Sequence, residues 1–242
     1  MADEDARIVL LAGASGFTGT RALDALLEAP DITRVIAVSR RPLGREHSRL
    51  ANRFVKFEAI ETQLKGVSCD AALCCLGTTI RRAGSQAEFR AVDVGAVVAF
   101  ARAARAAGAR RFVVISSVGA NPESRNFYLR TKGEMEGQLE SLGFESLDIL
   151  QPSMLLGWRA EMRPLELLGV IFMPLINPLL AGKYQVYRGI AARTVAQAML
   201  GATRSGRRGV QRYTYAGIEA LARLSAPRAR TLPPPKAPAR AR

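Results

Sequence analysis

Apolar and polar positions alternate along this chain in two distinct rhythms. Ile8 to Ala12 (IVLLA) is an unbroken apolar run, the mark of a strand buried on both faces, and it is followed by Leu23, Leu26 and Leu27 at helical spacing. The same pairing recurs. Arg34 to Ser39, Phe54 to Glu58, Cys69 to Leu76, Arg111 to Ser116 and Ser146 to Leu150 read as further strands. Between them, Ala87 to Ala107 reads as a helix stopped by Gly108, and Phe127 to Leu142 as a helix stopped by Gly143. Strands alternating with helices predict an α/β fold with a doubly wound parallel sheet. Beyond Pro152 the rhythm loosens into prolines and an apolar stretch, then a helix from Ala191 to Thr203 and a late strand from Gln211 to Tyr215. The pattern therefore predicts a core over 1–150 and a small C-terminal lobe over 151–222 completing the same domain. A basic Pro/Ala/Arg tail over 223–242 has almost nothing to bury and is expected to be disordered.

The join between the first strand and first helix carries the most informative motif. Gly13, Gly16 and Gly19 are spaced G-x-x-G-x-x-G, with Ser15, Phe17 and Thr18 between them. Gly13 suits a tight turn, Gly16 lets phosphate oxygens approach the backbone, and Gly19 allows close helix–strand packing at a helix N-terminus. A strand before the motif and a helix after it are the context that gives the spacing meaning. This predicts a Rossmann-type dinucleotide site. The second strand ends in Ser39-Arg40-Arg41, where an acidic residue would favour a bare ribose diol. Two guanidinium groups instead suit a 2′-phosphate, so Arg40 and Arg41 favour NADP(H) over NAD.

Composition narrows the classes. The 242 residues are 48% hydrophobic and 23% charged, as expected of a globular chain. The acidic start MADEDAR has neither the basic region nor the separate apolar core of a secretory signal, so a cytoplasmic location is expected. Leu167 to Gly182 lacks charge, but Pro174, Asn177 and Pro178 interrupt it. It is also shorter than the ~20 residues of a membrane span, and it reads as a buried or interface segment. The net charge of +14 owes six charges to the stretch from Arg223 onward, and no nucleic-acid-binding motif accompanies it. Cys69, Cys74 and Cys75 lack metal-ligand spacing and read as buried reduced thiols, with no metal expected. His47, the only histidine, sits in a charged loop and reads as a surface residue.

Candidate chemistry follows the fifth strand. Ser116 and Ser117 stand at its end, and Tyr128 and Lys132 open the next helix at i and i+4, on one face. An ammonium beside a phenol stabilises the phenolate, bringing proton exchange nearer to neutral pH. A serine hydroxyl at the strand end would orient the substrate oxygen. Arg159, Glu161 and Arg163 flank Trp158 just past the sixth strand; they read either as a grip on an anionic substrate or as a structural Arg–Glu pair.

With these pieces in order, the chain resembles the short-chain dehydrogenase/reductase family, and more narrowly its atypical branch containing the Tat-interacting-protein oxidoreductase and bacterial relatives. GASGFTG (13–19), Ser39-Arg40-Arg41, CCLGTT (74–79), ISSVGAN (115–121), FYLRTKGEME (127–136) and QPSMLLG (151–157) carry the resemblance. It implies NADP(H) binding and hydride transfer with a small-molecule carbonyl or alcohol. By position it implies Leu76, Gly77 and Thr78 beside the adenine ribose, and Ser117, or its neighbour Ser116, at the substrate oxygen. Tyr128 and Lys132 would form the acid/base centre, and Pro152 and Ser153 the turn beside the nicotinamide. Two positions depart from the pattern. Lys56-Phe57-Glu58 stands where relatives carry an acid that holds adenine, and Asp93 replaces the family's structural asparagine, either positioning the lysine through water or serving as an ordinary helix residue. An NADP(H)-binding regulatory or scaffold protein and a nucleotide-sugar epimerase are the alternative readings. The helices after strands four and five offer faces for a homodimer.

Overall fold

The computed structural model describes residues 7–156, 180 and 182–226. Seven strands form one parallel sheet: β1 (Arg7–Ala12), β2 (Ile32–Ser39), β3 (Leu50–Phe54), β4 (Ala71–Cys74), β5 (Arg111–Ile115), β6 (Ser146–Leu150) and β9 (Gly209–Tyr213). Their spatial order is β3-β2-β1-β4-β5-β6-β9, so the winding reverses between β1 and β4. In such sheets ligands bind in the crevice beyond the carboxyl ends of the strands at that reversal. A two-residue ladder, β7 (Leu155–Leu156) with β8 (Ile190–Ala191), lies apart from the main sheet.

The period-2 alternation of the strands builds two cores. Leu10, Ala12, Ile36, Ala72, Phe112 and Ile149 face one side, and Val9, Leu11, Val35, Ala71, Leu73 and Val113 face the other. The first side is covered by α5 (Val97–Ala106) and α6 (Phe127–Glu140), with Phe100, Met135 and Leu139 fully buried. The second is covered by α1 (Phe17–Glu28), α7 (Ala192–Arg204) and α8 (Tyr215–Arg223), packed through Leu23, Leu26, Val195, Met199 and Ile218. Short helices α2 (Ile60–Gln63), α3 (Ile80–Ala83) and α4 (Gln86–Arg90) fill the connections.

Three expectations move. The third strand lies at 50–54 rather than 54–58, and Phe57–Ala59 forms a 3-10 turn. As an edge strand its register is set from outside. Arg49 donates to the carbonyls of Leu27, Ala29 and Ile32, and the Asn52 amide donates to Ala37 O at 3.1 Å and Ser39 Oγ at 2.8 Å. The helix expected over 87–107 is three segments: α4, a π-helix (Ala91–Ala96) and α5, ended by Gly108 at φ +92°. The widened turn lets Asp93 and its neighbour Val94 both face inward. The late strand runs Gly209–Tyr213, two residues earlier than expected, because Thr214 already caps α8. It pairs in parallel with β6, so the second half of the 151–222 segment completes the main sheet. Trp158, Arg159, Glu161, Arg163, most of the Leu167 to Gly182 stretch and the tail beyond 226 lie outside the described residues.

Candidate active site

The turn after β1 is shaped by what its glycines leave out. Gly13 holds φ +80°, a left-handed conformation that side chains disfavour, and a Cβ there would stand 2.6 Å from the backbone carbonyl of Cys75. A Cβ on Gly19 would stand 1.9 Å from Gly13 O. The loop therefore closes directly onto the end of β4 and onto its own helix. Gly16 is the N-cap of α1, no side chain caps that helix, and its first turn carries no acid. An anion thus meets the positive end of α1 with no carboxylate competing for it, which fits a coenzyme pyrophosphate. Ser15 and Phe17 border this mouth and Thr18 is buried beneath it.

At the end of β2, Ser39 Oγ donates to Arg41 O at 2.7 Å while accepting from Asn52, and Asn52 Oδ1 accepts from Leu43 N–H. This fixes the backbone of the Arg40-Arg41 turn and leaves both arginines exposed. Asn52 was not singled out in the sequence. Arg45 pairs with Asp24 of α1, tying the following loop to the same helix.

From Gly13 the contacts lead to the catalytic candidates. Cys75 and Leu76 abut Gly13, and a Cβ at the next residue, Gly77, would lie 4.0 Å from Lys132 Nζ and 3.5 Å from Asp93 Oδ1. Thr78 N–H donates to Asp93 Oδ2 at 2.8 Å. Lys132 and Tyr128 lie on α6, and the Tyr128 ring packs against Phe89 with centroids 5.8 Å apart. Burial disfavours the Lys132 ammonium, but the Asp93 carboxylate, and after it Tyr128, hold its pKa above the ordinary lysine range. Asp93 thus touches the lysine directly at 2.6 Å, with no space for an intervening water.

The two serines at the end of β5 divide. Ser116 Oγ donates to Glu136 Oε1 at 2.5 Å, in a buried cluster where Gln151 Nε2 and Arg212 Nε also donate to Glu136, each at 2.9 Å. Its hydroxyl is thereby committed to the fold. Ser117 is buried in the loop that runs to Asn121, and among the described residues its hydroxyl makes only a long contact of 3.4 Å to Val118 O. That loop lies flat on α6: Asn121 N–H donates to Leu129 O, and a Cβ on Gly133 would stand 2.2 Å from Pro122 N. Gly133 was missed in the sequence; its signal was a glycine inside a helix, where it costs about 1 kcal/mol unless a close approach requires it. After β6, Pro152 O accepts from Val118 N–H, and Ser153 Oγ donates to Arg188 O at 2.6 Å. That bond ties the turn to the chain leading into β8.

Cys69 and Cys74 are buried, and burial pushes their thiols up to about 12. The Cys75 thiol lies 3.5 Å from Met199 Sδ. His47 is exposed in a turn. Among the described residues no helix is long and apolar enough to cross a membrane.

Residues 13–157 match the family model described as NAD(P)H-binding. Protein HTATIP2 of Rattus norvegicus is 36% identical over 196 residues, covering 79% of each chain. Protein fmp52, mitochondrial, of Aspergillus fumigatus is 38% identical over 165 residues, or 65% of this chain and 70% of that one. Among solved structures, the Bordetella bronchiseptica enzyme WbmH in complex with NAD+ superposes with a TM-score of 0.64 at 15% identity, covering 86% of this chain and 75% of that one. WbmG of the same organism, in complex with NAD, gives 0.65 at 13%, covering 93% and 79%. These two likenesses are of fold. The glycine turn, the sheet reversal and the matched span together show that the chain belongs to the NAD(P)H-binding family, as an atypical short-chain dehydrogenase/reductase-like protein with HTATIP2 and Fmp52 as homologues.

Proposed function

We propose that this protein is an NADP(H)-dependent oxidoreductase acting on a small carbonyl or alcohol. When bound, the coenzyme supplies or accepts the hydride. The chain's own residues do the rest. The uncapped N-terminus of α1 and the Gly13–Gly19 turn hold the pyrophosphate, and Arg40 and Arg41 on their braced turn hold the 2′-phosphate. Leu76, Gly77 and Thr78 border the adenosine side, and Pro152 and Ser153 the nicotinamide side. Tyr128 exchanges the proton at the substrate oxygen, Ser117 orients that oxygen, and Lys132 binds the ribose and supports Tyr128 electrostatically. The observation that supports this reading is the continuity of contact from Gly13 through Cys75 and Leu76 to Gly77 and Lys132, from the proposed coenzyme turn to the helix that carries Tyr128. The cytoplasmic setting expected from the sequence belongs to the proposal, although Fmp52 is named as mitochondrial.

The test is Tyr128→Phe with NADPH and a panel of carbonyl compounds. Losing one preorganised donor at a reacting oxygen costs about 3 to 4 kcal/mol, so turnover is expected to fall by a factor of several hundred with NADPH affinity retained. Unchanged turnover removes Tyr128 from the chemistry. Tight NADPH binding by the wild type without turnover across the panel supports the regulatory reading instead.

A further inference from the structure

The sheet face that carries Leu10 and Ile36 is covered unevenly. α5 packs on β4 and α6 on β6, whereas the crossover from β3 to β4 contains only a 3-10 turn and the four-residue α2. A parallel sheet ordinarily buries both faces under helices. What this short crossover leaves is a groove of about 220 Å³ over the outer strands, floored by Ile8, Ile36, Ala51 and Val67. Its charge has one sign. Arg34 and Arg53 line it, and among the described residues no acid does. Both side chains are exposed, and neither guanidinium has an ion pair or hydrogen bond among the described residues. Asp70, whose carboxylate accepts from Ile8 N–H at 2.7 Å, stands outside the lining. The strand register fixes where the arginines stand. Ile36 lies beside Ala51 and Val38 beside Arg53, while Arg34 precedes Ile36 by one pleat on the same face. They therefore mark the two ends of the apolar floor, about 13 Å apart along the strands. Arg53 alone would serve to blunt the edge strand β3. Arg34 lies on β2, which is paired on both sides, so edge protection does not account for it.

We propose that this groove binds a short dicarboxylate, with one carboxylate on each guanidinium and the hydrocarbon spine on the apolar floor. The planar fork of arginine matches a carboxylate through two parallel hydrogen bonds. A floor of aliphatic side chains favours a spine of CH₂ groups over an inorganic anion. The volume lies below that of sites for drug-sized ligands, so the ligand is small. The groove reaches back to Ile8 and Arg34, near the amino-terminal ends of β1 and β2, whereas the coenzyme crevice lies beyond the carboxyl ends of the strands. Occupancy of one site therefore leaves the other open, and the dicarboxylate site is independent of the oxidoreductase reading.

The test titrates suberate, octanoate and inorganic phosphate into the wild type, Arg34→Gln and Arg53→Gln at low ionic strength, followed by backbone amide NMR and with thermal melting as a check on folding. In the wild type, suberate is expected to move the amide signals of Ile8, Ala51 and Val67. It should bind about fivefold more tightly than octanoate, the order that one further exposed ion pair supplies, and more tightly than phosphate, which has no spine for the floor. In either variant suberate is expected to fall to the affinity of octanoate, while octanoate, which needs a single guanidinium, changes less than about twofold. Saturating NADPH should leave the suberate affinity unchanged. Groove amides that do not respond to suberate in the wild type overturn the site. Octanoate or phosphate binding as tightly as suberate overturns the dicarboxylate, and variants that bind suberate like the wild type overturn the role of the arginines. Competition between suberate and NADPH would put the anion in the coenzyme crevice and overturn the groove as its site.

Discussion

The glycine turn makes the sharpest prediction, because its three glycines sit in different surroundings. In Gly19→Ala the new methyl would stand 1.9 Å from Gly13 O, whereas real Cβ contacts essentially never fall below 3.0 Å. The first turn of α1 must therefore retreat by roughly 1 Å, and the obstacle is backbone that cannot rotate away. Alanine gains about 1 kcal/mol of helix propensity over glycine, but overpacking costs about 1 to 3 kcal/mol even where side chains can yield, so strain wins. Gly13→Ala meets Cys75 carbonyl atoms at 2.6 Å and adds about 1 to 2 kcal/mol for a left-handed alanine. Gly16→Ala meets only Gly13 O at 3.2 Å, which a shift of a few tenths of an ångström relieves. Denaturant unfolding is expected to show losses of about 2 to 4 kcal/mol for Gly19→Ala and Gly13→Ala, and under about 1 kcal/mol for Gly16→Ala. NADPH titration of Gly16→Ala is nevertheless expected to weaken, since its methyl intrudes where the phosphate approaches. A Gly19→Ala protein as stable as the wild type would refute the packing argument, and a Gly16→Ala protein with unchanged affinity would refute the phosphate's location.

Other parts of the structure yield expectations of their own. Arg40→Ala should lose roughly tenfold or more in NADPH affinity while NADH affinity holds, since a charge-assisted hydrogen bond contributes about 1.5 to 3 kcal/mol; equal losses for both coenzymes would show that Arg40 does not read the phosphate. Glu136→Ala strips Ser116, Gln151 and Arg212 of a shared acceptor. It should cost about 2 to 4 kcal/mol in denaturant unfolding, and a loss under about 0.5 kcal/mol would mean the cluster is not structural. Asp31 stands between Arg204 and Arg7. Burial there opposes its charge, but the Arg204 guanidinium outweighs burial and holds the carboxyl below its ordinary range. Its stabilisation is therefore present above the unfolded-state pKa and disappears as pH falls through the lower folded-state value. Asp31→Asn should be less stable than wild type by about 1 kcal/mol near neutral pH and equal to it in strong acid, so a gap that persists in acid contradicts the pairing.

What could be read from the sequence divides along physical lines. Strands buried on both faces write themselves as apolar runs, so β1, β2, β5 and β6 were legible to within about two residues. The edge strand β3 was not, because Arg49 and Asn52 set its place through carbonyls on other elements. The Tyr128–Lys132 relation was legible from helical periodicity alone. The π-helix was not, because it inserts a residue to satisfy a lysine 39 positions further along the chain, and no local pattern announces such a partner.

Charge pairing fails for a related reason. With 35 basic and 21 acidic residues, every acid has several plausible partners in sequence, and the fold selects Asp93 for Lys132 and Glu136 for Arg212. Glycines inside helices were the unused signal. Gly133 follows Lys132 directly, and its missing side chain lets the Ser117 to Pro122 loop lie against α6. Residues 128 to 136 therefore carry the proton-exchange candidate, the charged partner of Asp93, the seat of the Ser117 loop and the acid that binds Ser116. With so many constraints on one stretch of helix, the position of Lys132 is set from three directions: Asp93 in the π-helix, Cys74 at the end of β4 with Gly77 after it, and the β5 loop across Gly133.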